Sequence, residues 1–305
     1  MGPNNGINLE KVSYFPLEEY VRRIKLTDDV LYHAEDTGKD FDKYISELKK
    51  YSPLAIIYFL IESFSDEMIN TNMIENHIID PLEITKKNIF YDSLHMNNKR
   101  IKELNQFVTR SIVPTDYRKN EVRVSSVYPN GEEIIYWYGA NPEDIKKFMT
   151  DFLELYHRYS PSMIGMNPFL KSALCHLLFT RIHPFSDGNG RTARIIHTIK
   201  FTDMINHIYG SNLKISPLHL SKSILLNKPT YLKRINEIYF DLEHDSNEEI
   251  NKYLDYMLDM NDEQIFYMSN HLKQIEDVLK RFEENPNGEE IEQMAKKMRL
   301  KRKKD

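Results

Sequence analysis

Apolar residues recur three and four positions apart along most of the chain, which is the spacing of helices that bury one face. The pattern predicts a buried helix over residues 54–61 and a long amphipathic helix over 82–111. Helical patterning begins at Phe41. Residues 1–40 mix apolar and charged positions without a clean period, so we expect an irregular arm there.

Several predicted helices begin at a proline that follows serine or asparagine. A serine or asparagine side chain caps the first free N–H groups, and proline suits the first turn because its missing N–H is not needed there. The pairs with this signal are Ser52-Pro53, Asn141-Pro142, Asn167-Pro168 and Ser216-Pro217. The last pair predicts a short helix that ends at Leu226. Further helical patterns cover residues 228–239 and 247–282, the latter divided near Met260 and Asn261.

The helical period is interrupted over residues 121–138. Two runs rich in β-branched and aromatic residues, 122–128 and 132–138, flank the dipeptide Asn130-Gly131. Asparagine and glycine both accept the positive φ of a tight turn, so this arrangement is the strongest short-range signal of a β-hairpin. The sequence therefore predicts a mainly α fold with a single β-hairpin.

Charge and composition limit the classes of binding partner and the cellular compartment that we expect. The chain has 41 Lys and Arg against 46 Asp and Glu, a net charge of −5, so we do not expect nucleic acid as a partner. The basic end, residues 301–304, is interpreted as a solvated tail, with a DNA contact as the alternative. A single cysteine, Cys175, excludes an intramolecular disulfide and fits a reducing compartment, so we expect a cytoplasmic protein. The longest apolar run is far shorter than the about 20 residues of a membrane span.

The densest group of chemically useful side chains lies in residues 183–194, which read HPFSDGNGRTAR. A glycine-rich turn leads into a predicted helix, so backbone N–H groups and the positive end of the helix dipole point to one place. Arg191 and Arg194 are three residues apart and share a face of the first turn. Cations oppose the dipole at a helix N-terminus, so the arrangement predicts a bound polyanion, which we interpret as a nucleoside triphosphate.

Each polar residue of this segment has a role if the anion is a substrate of a transfer reaction. Asp187 offers an oxygen to Mg²⁺, which usually binds through one or two carboxylates plus substrate phosphates. Asn189 and the amides of Gly188 and Gly190 can hold oxygens where charge develops. His183 is the natural base for an attacking hydroxyl. For any one residue, a structural loop with a packed histidine and solvated arginines is the alternative.

The segment resembles the signature of the Fic family, His-x-Phe-x-Asp/Glu-Gly-Asn-Gly/Lys-Arg-x-x-Arg, and matches it at every position. Fic proteins move AMP from ATP to a Ser, Thr or Tyr hydroxyl of a target protein and release pyrophosphate. The resemblance implies a Fic-type helical fold with a hairpin flap. It also implies His183 as base, Asp187 as Mg²⁺ ligand, Asn189 on the α-phosphate, Gly188, Gly190 and Arg191 at the anion hole and β-phosphate, Arg194 on the γ-phosphate, and Phe185 as the buried anchor of the loop.

A second stretch gains meaning from this resemblance. Some Fic proteins carry an inhibitory helix with the pattern Ser/Thr-x-x-x-Glu-Gly/Asn, and Thr71, Glu75 and Asn76 are similar to it. The similarity implies an inhibitory helix over about residues 66–80. In it, Glu75 would pair with Arg194 and deny that guanidinium to the γ-phosphate. A plain surface glutamate is the alternative.

The family pattern also suggests roles for the hairpin and for the region after the signature. A flap before the core is associated with docking of the target segment, here at Val122, Arg123 and Val124, with a decorative insertion as the alternative. The region after the signature helps to close the adenine pocket, so Tyr231 is a candidate base contact, with core packing as the alternative.

Two histidines on either side of the signature, His176 and His197, lie in apolar helical patterns. We interpret them as packing residues rather than metal ligands.

The predicted regions are an N-terminal helical part (1–110), a Fic core (111–245) and C-terminal helices with a basic tail (246–305). We predict an AMP transferase with ATP as co-substrate, Mg²⁺ as cofactor and Glu75 as an internal inhibitor. Two alternatives stay open: Glu75 could position water to remove AMP from a modified target, or the chain could be a nucleotide-gated regulator without turnover. A homodimer also stays open.

Overall fold

The computed structural model of the chain describes residues 12–77, 96–127, 130–158, 167–211, 213 and 215–284. In those residues it has eleven helices and one two-stranded antiparallel sheet, which confirms the predicted mainly α fold with a β-hairpin. The helices are α1 (Leu17–Arg23), α2 (Asp28–Leu48), α3 (Pro53–Ile74), α4 (Asn98–Thr109), α5 (Ile145–His157), α6 (Pro168–Ile182), α7 (Asn189–Tyr209), α8 (Ser221–Leu226), α9 (Lys228–Asn236), α10 (Asn247–Gln274) and α11 (Glu276–Glu284). The strands are β1 (Arg123–Val127) and β2 (Glu133–Tyr138).

Helices α6 and α7 form the buried centre of the fold. Asn167 caps α6, where its side-chain oxygen accepts the N–H groups of Phe169 and Leu170 at 3.0 Å each. Every residue of α6 after Pro168 is buried, because α5, α7 and α10 all pack on it. Helices α3 and α4 pack on α7. The short connection between α6 and α7 is therefore held between two helices that the core keeps in place.

The N-terminal prediction was wrong, since α1 and α2 occupy much of the expected irregular arm. Helix α2 starts at the Thr27 cap, and its buried positions follow helical spacing from Val30 and Ala34 to Phe41 and Leu48. Charged residues fill the positions between them, so the apolar stripe is narrow and the period is hard to see. This stripe packs on α10.

The predicted division near Met260 and Asn261 was also wrong, because α10 runs through both residues and ends at Gln274. Asn261 is buried, and its side-chain amide donates to the carbonyl of Met257 at 2.6 Å. Asparagine often ends helices. Here its side chain bonds to the carbonyl four residues earlier, and the helix continues through it.

Other helix starts and ends differ from the predictions by a few residues. The Ser216 hydroxyl accepts the N–H of Leu218 at 3.3 Å, so a turn follows Pro217 and α8 begins only at Ser221. The helix predicted from Asn141 begins as a turn, and α5 starts at Ile145. Of the long helix predicted over 82–111, α4 covers 98–109, and residues 82–95 lie outside the described part of the chain.

The hairpin is tied to the helical core through Trp137. Strands β1 and β2 pair with Arg123 opposite Tyr138 and Val124 opposite Trp137, followed by a bulge before Ser125. Trp137 is buried, and its indole N–H donates to the side chain of Asn236 at 3.0 Å. The base of the flap is therefore anchored on α9, which supplies the support that an isolated hairpin needs.

Across the described ranges, none of the helices combines the length and the apolar character that a bilayer crossing requires.

A charge cluster between α2 and α10 should make stability depend on pH. His33 Nδ1 lies 2.7 Å from Asp255 and Nε2 lies 2.9 Å from Asp262. Burial lowers the pKa of His33, but its hydrogen bonds to both carboxylates outweigh burial, and the pKa is raised overall. The stabilisation is therefore complete below the unfolded-state pKa of about 6.5 and is lost as the pH rises through the raised folded-state pKa.

We expect the parent chain to exceed a His33→Gln variant in free energy of unfolding at about pH 6, with a smaller difference at about pH 9. Urea unfolding at both pH values measures this. A difference that stays constant, or grows with pH, would contradict the assignment.

Candidate active site

His183 ends α6 in a left-handed backbone conformation, with φ of 54°, which is uncommon for a residue that has a Cβ. Its Nδ1 lies 3.1 Å from the carbonyl of Thr180, and its ring meets Trp137 edge-on, with 5.3 Å between ring centroids. The sharp turn places the imidazole between the end of α6 and the base of the flap. Taken over all its atoms, His183 is intermediate between buried and exposed.

Arg118 holds this turn in place and was not found by sequence reasoning. Its guanidinium donates to the carbonyls of His183 at 2.7 Å, Ala140 at 2.5 Å and Asn120 at 2.8 Å. A Cβ on Gly139 would lie 2.6 Å from this guanidinium and 3.0 Å from the Cβ of His183, so only glycine lets the flap approach so closely. Three main-chain segments are thus joined through one buried cation.

The environment keeps the His183 imidazole neutral. Burial lowers the pKa of His183 to about 4, and the charges of Arg118 and Arg181 act in the same direction. The Thr180 carbonyl and Glu75 oppose this shift without cancelling it. Because a carbonyl can only accept, the ring proton lies on Nδ1, and Nε2 keeps the lone pair that can accept a proton.

The loop after His183 is closed by its own residues and by α4. The side-chain amide of Asn189 accepts from the N–H of Phe185 at 2.9 Å and donates to its carbonyl at 2.7 Å. Phe185 is buried against Tyr117 and Phe179, which is the anchor role that the family resemblance implied. Both polar atoms of the Asn189 amide serve the loop, so its contact with an α-phosphate stays a prediction.

Gly188 begins α7 in a left-handed conformation, with φ of 77°. A Cβ at this position would lie 2.4 Å from Cγ2 of Thr109 and 3.0 Å from the Asn105 amide, so α4 leaves no room for a side chain. Asn105 in turn donates to the carbonyl of Asp187 at 2.9 Å and lies 3.2 Å from the Thr192 hydroxyl. Sequence reasoning missed Asn105, which lies more than 80 positions before the loop that it supports.

The first turn of α7 presents N–H groups that the helix itself does not pair. The first intrahelical bond runs from the N–H of Thr192 to the carbonyl of Gly188, at 2.9 Å. The preceding N–H groups, of Asn189, Gly190 and Arg191, have no intrahelical acceptor and point along the axis of the helix. The turn therefore has the geometry of an anion site at a helix N-terminus.

Arg191 and Asp187 form an ion pair beside this turn, with 2.9 Å between guanidinium and carboxylate. Arg191 also donates to the carbonyl of Val108 at 3.1 Å and to the Asn72 side chain at 3.3 Å. The Arg191 side chain is 5% exposed, whereas that of Asp187 is 73% exposed. The buried Arg191 guanidinium and the exposed Asp187 carboxylate thus lie together beside the first turn of α7.

Arg194 meets the end of α3 on the other side of the turn. Its guanidinium donates to Glu75 Oε1 at 2.8 Å, to the Thr71 hydroxyl at 2.7 Å and to the Thr71 carbonyl at 2.9 Å. The Arg194 side chain is 2% exposed and that of Glu75 is 40% exposed. Burial raises the pKa of Glu75, but the charge of Arg194 and its hydrogen bond hold the pKa below its usual value overall.

Asn76 shows why the end of α3 requires asparagine or glycine. It is left-handed, with φ of 61°, directly after Glu75. The N–H of Asn76 bonds to the carbonyl of Met73 and that of His77 to the carbonyl of Asn72, each at 3.0 Å. This pair of bonds ends a helix where a residue tolerates positive φ. The helix predicted over about 66–80 ends at Ile74, and residues 78–80 lie outside the described part.

Gly190 allows Glu75 to approach the first turn of α7. A Cβ on Gly190 would lie 2.6 Å from Oε1 of Glu75 and 3.3 Å from the Arg194 guanidinium. The carboxylate therefore occupies space directly above the helix N-terminus.

Four residues before Thr71, Glu67 is buried, and its carboxylate accepts the N–H and the hydroxyl of Ser221 at 2.9 and 2.6 Å. It fastens the same face of α3 to the start of α8.

Tyr231 lies behind Arg194. It is buried, and its hydroxyl lies 2.9 Å from Nε2 of His176 and 3.4 Å from the Arg194 guanidinium. Its described contacts are those of the packing alternative, and a contact with adenine stays a prediction. His197 is buried against Ser172, with 3.0 Å between Nε2 and the hydroxyl. Among the residues described, no three His, Cys, Asp or Glu side chains lie close enough to hold a metal ion.

The flap residues lie on a strand with an open edge. In the described structure β1 pairs only with β2, and Arg123 pairs across the hairpin with Glu133 at 2.7 Å. The carbonyl of Val122 accepts from Gly139 at 3.1 Å, and Val124 packs partly against the core. The docking of a target at Val122, Arg123 and Val124 stays a prediction.

Comparison with known proteins agrees with this geometry. Residues 95–199 match the profile of the Fic/DOC family. This segment of the chain is similar to a Fic domain. The resemblance predicted from residues 183–194 is thereby confirmed, and the profile covers the loop, α7 as far as Ile199, and the supporting residues Asn105 and Arg118.

Several curated relatives are similar to part of this chain. Protein adenylyltransferase Fic of Nematostella vectensis is 36% identical over 80 residues, which are 26% of this chain and 16% of the relative. The protein of the same name from Drosophila willistoni is 34% identical over 107 residues, 34% of this chain and 19% of the relative. A Fido domain-containing protein of Dictyostelium discoideum is 40% identical over 55 residues, 18% of this chain and 38% of the relative. The chain thus spans well under half the length of these relatives.

Two solved structures share the fold. A Fic family protein from Desulfovibrio desulfuricans has a TM-score of 0.57 at 17% identity and covers 85% of this chain and 77% of its own. A Fic domain containing signaling protein from Bacteroides thetaiotaomicron has a TM-score of 0.56 at 18% identity and covers 78% and 97%. The helical Fic fold therefore extends beyond the segment that the family profile matches.

We expect Arg118→Met to lower the free energy of unfolding by more than about 2 kcal/mol, because three carbonyls in buried or partly buried positions lose a charged donor. Urea unfolding measures this. The matched control is Arg158→Met, at the C-cap of α5. Among the described contacts this substitution removes an exposed ion pair with Glu18, so it should change stability by less than about 0.5 kcal/mol. Equal effects of the two substitutions would contradict the role given to Arg118.

Proposed function

We propose that this chain is a protein adenylyltransferase, which moves AMP from ATP to a hydroxyl of a target protein, and that Glu75 holds it inactive. The observation that carries the proposal is the Arg194 guanidinium at the N-terminus of α7, bound by Glu75 instead of by a substrate anion. Two of the similar proteins are named protein adenylyltransferase, which supports the reaction class.

The first turn of α7 supplies the phosphate site. In the proposed complex, the N–H groups of Asn189, Gly190 and Arg191 hold α- and β-phosphate oxygens, and Arg194 receives the γ-phosphate. The exposed Asp187 carboxylate fits Mg²⁺, because this ion binds nucleotides through one or two carboxylates plus phosphate oxygens. When bound, Mg²⁺ would neutralise phosphate charge and favour the departure of pyrophosphate.

His183 activates the target in this mechanism. The hydroxyl oxygen of the target forms a bond to the α-phosphorus, while the bond from that phosphorus to the α,β-bridging oxygen breaks. Pyrophosphate leaves with the electron pair of the broken bond, and the hydroxyl proton passes to Nε2 of His183. The Nδ1–H bond to Thr180 keeps Nε2 free for that proton.

The Glu75–Arg194 pair would oppose ATP binding in two ways. It occupies the guanidinium needed by the γ-phosphate, and it places a carboxylate against the phosphate charge. Breaking a buried pair is costly, but Glu75 is 40% exposed and solvent screens it, so we expect an effect of about tenfold to hundredfold.

Removal of AMP from a modified target is a second candidate reaction. It is favoured by one observation: the ionised, partly exposed Glu75 carboxylate lies at the phosphate end of the site, where it could position water.

We expect Glu75→Gly to raise AMP transfer at least about tenfold, because Arg194 becomes available to the γ-phosphate. His183→Ala in the same background should lower the rate about 10²- to 10⁴-fold, since the base is lost. Intact-mass measurement after incubation with Mg·ATP records AMP added to the chain itself or to proteins of an extract.

Met73→Gly is the matched control for this experiment. It places glycine in the last turn of α3 at an exposed position that does not contact Arg194, so it should leave transfer at the parent level. If Glu75→Gly showed no gain over the parent, the inhibitory role would be rejected. If Glu75→Gly showed no AMP transfer and the parent removed AMP from pre-modified protein, removal of AMP would replace transfer as the proposed reaction.

The lowered pKa of His183 predicts the acid limb of the rate profile. Below its pKa the imidazole is protonated and cannot accept a proton, so kcat/KM of the Glu75→Gly variant should fall only as the pH approaches about 4. An acid limb centred near the ordinary histidine pKa of about 6.5 would contradict the burial argument.

A further inference from the structure

Four hydrogen bonds hold the Arg194 guanidinium among the described residues, and three of them come from α3. Two acceptors belong to Thr71 and one to Glu75, at 2.7 to 2.9 Å. The fourth bond, from Nη1 to the hydroxyl of Tyr231 at 3.4 Å, comes from α9. If the end of α3 withdraws from the site, the Tyr231 contact is the one that can remain.

The Tyr231 hydroxyl can accept a hydrogen bond from Arg194 only if its own proton points to another acceptor. His176 is that acceptor. Nε2 of His176 lies 2.9 Å from the Tyr231 hydroxyl, and its Nδ1 lies 2.8 Å from the hydroxyl of Tyr253. The Tyr253 hydroxyl donates to the carbonyl of Ala173 at 3.0 Å.

The carbonyl of Ala173 sets the direction of every bond in this series. Because a carbonyl can only accept, the Tyr253 hydroxyl donates its hydrogen bond to Ala173. The same hydroxyl oxygen then accepts a hydrogen bond from Nδ1–H of His176. Nε2 of His176 is then the unprotonated nitrogen and accepts from Tyr231. Tyr231 is left as an acceptor for the guanidinium, so every polar group of the series has a partner.

Burial keeps the protonation states that set this direction of the hydrogen bonds near neutral pH. His176 and Tyr253 are fully buried, and Tyr231 is 3% exposed. Burial lowers the pKa of His176 well below its usual value, and the charges of His197 and Arg194 act in the same direction. Burial likewise raises the pKa of Tyr231 and of Tyr253, so neither tyrosine ionises in the neutral range.

We propose that Tyr231, His176 and Tyr253 are positioning residues, whose relay of hydrogen bonds keeps Arg194 aimed at the terminal phosphate after Glu75 has withdrawn. Arginine has a long flexible side chain, and a displacement of about 1 Å from the productive position can cost about 10²-fold in rate. The relay limits that freedom by acting on Arg194. This inference rests on the proposed function, since it takes Arg194 as the partner of the γ-phosphate.

Nucleotide affinity in the Glu75→Gly background tests the relay. Titration calorimetry with the Mg²⁺ complexes of ATP and ADP should show that Tyr231→Phe weakens ATP binding about three- to tenfold and ADP binding much less. Tyr253→Phe should act in the same direction with a smaller effect. Tyr44→Phe is the matched control, because it removes a buried hydroxyl that donates to Pro217 on another part of the fold. Equal losses for ATP and ADP, or no loss, would overturn the proposal.

The tautomer of His176 gives a readout that needs neither nucleotide nor turnover. Nitrogen-15 NMR of the full chain should show neutral His176 with its proton on Nδ1, and Tyr253→Phe should shift protons towards Nε2. A parent chain with the proton on Nε2 would overturn the relay even if Tyr231→Phe failed to fold. Loss of AMP transfer from Glu75→Gly, with the tautomer and the ATP preference as expected, would instead reject only the proposed function.

Discussion

The ion pair between Glu75 and Arg194 is the interaction on which the proposed regulation depends. It joins the end of one helix to the beginning of another, where α7 already directs its N–H groups and its dipole at a single point. A cation in that turn is unfavourable unless an anion compensates it. Glu75 supplies the compensating charge in this structure, and a triphosphate would supply it during the proposed reaction. In the proposed function the same guanidinium would therefore serve inhibition and substrate binding, and one partner would exclude the other.

The loop between α6 and α7 keeps its shape because neighbouring elements satisfy its main chain. Arg118 binds the carbonyl of His183, Asn105 binds that of Asp187, and Asn189 closes the turn on Phe185. These bonds support the left-handed backbone at both ends of the loop, which is costly at His183 and freely adopted by Gly188. His183 gains its neutral, directed imidazole from the same arrangement. The loop is thus preorganised for the nucleotide that we propose as its substrate.

The residues of the loop could be recognised from sequence because they are contiguous and chemically unusual. The placement of Glu75 near Arg194 was implied by the family resemblance. The last position of the family pattern, Asn76, has a backbone reason in its positive φ. Arg118 and Asn105 could not be found this way, since their partners are main-chain carbonyls far along the chain. Helix α2 was missed because charged residues separate its buried positions, and the continuity of α10 depends on a side-chain bond that no local pattern reveals.

A crystal structure of the Glu75→Gly variant with Mg²⁺ and ATP tests the central claim most directly. The account predicts that the terminal phosphate occupies the place of the Glu75 carboxylate on Arg194, with the other phosphates on the N–H groups of Gly190 and Arg191. Phosphates bound away from the first turn of α7, or an Arg194 side chain that turns out of the site, would contradict it.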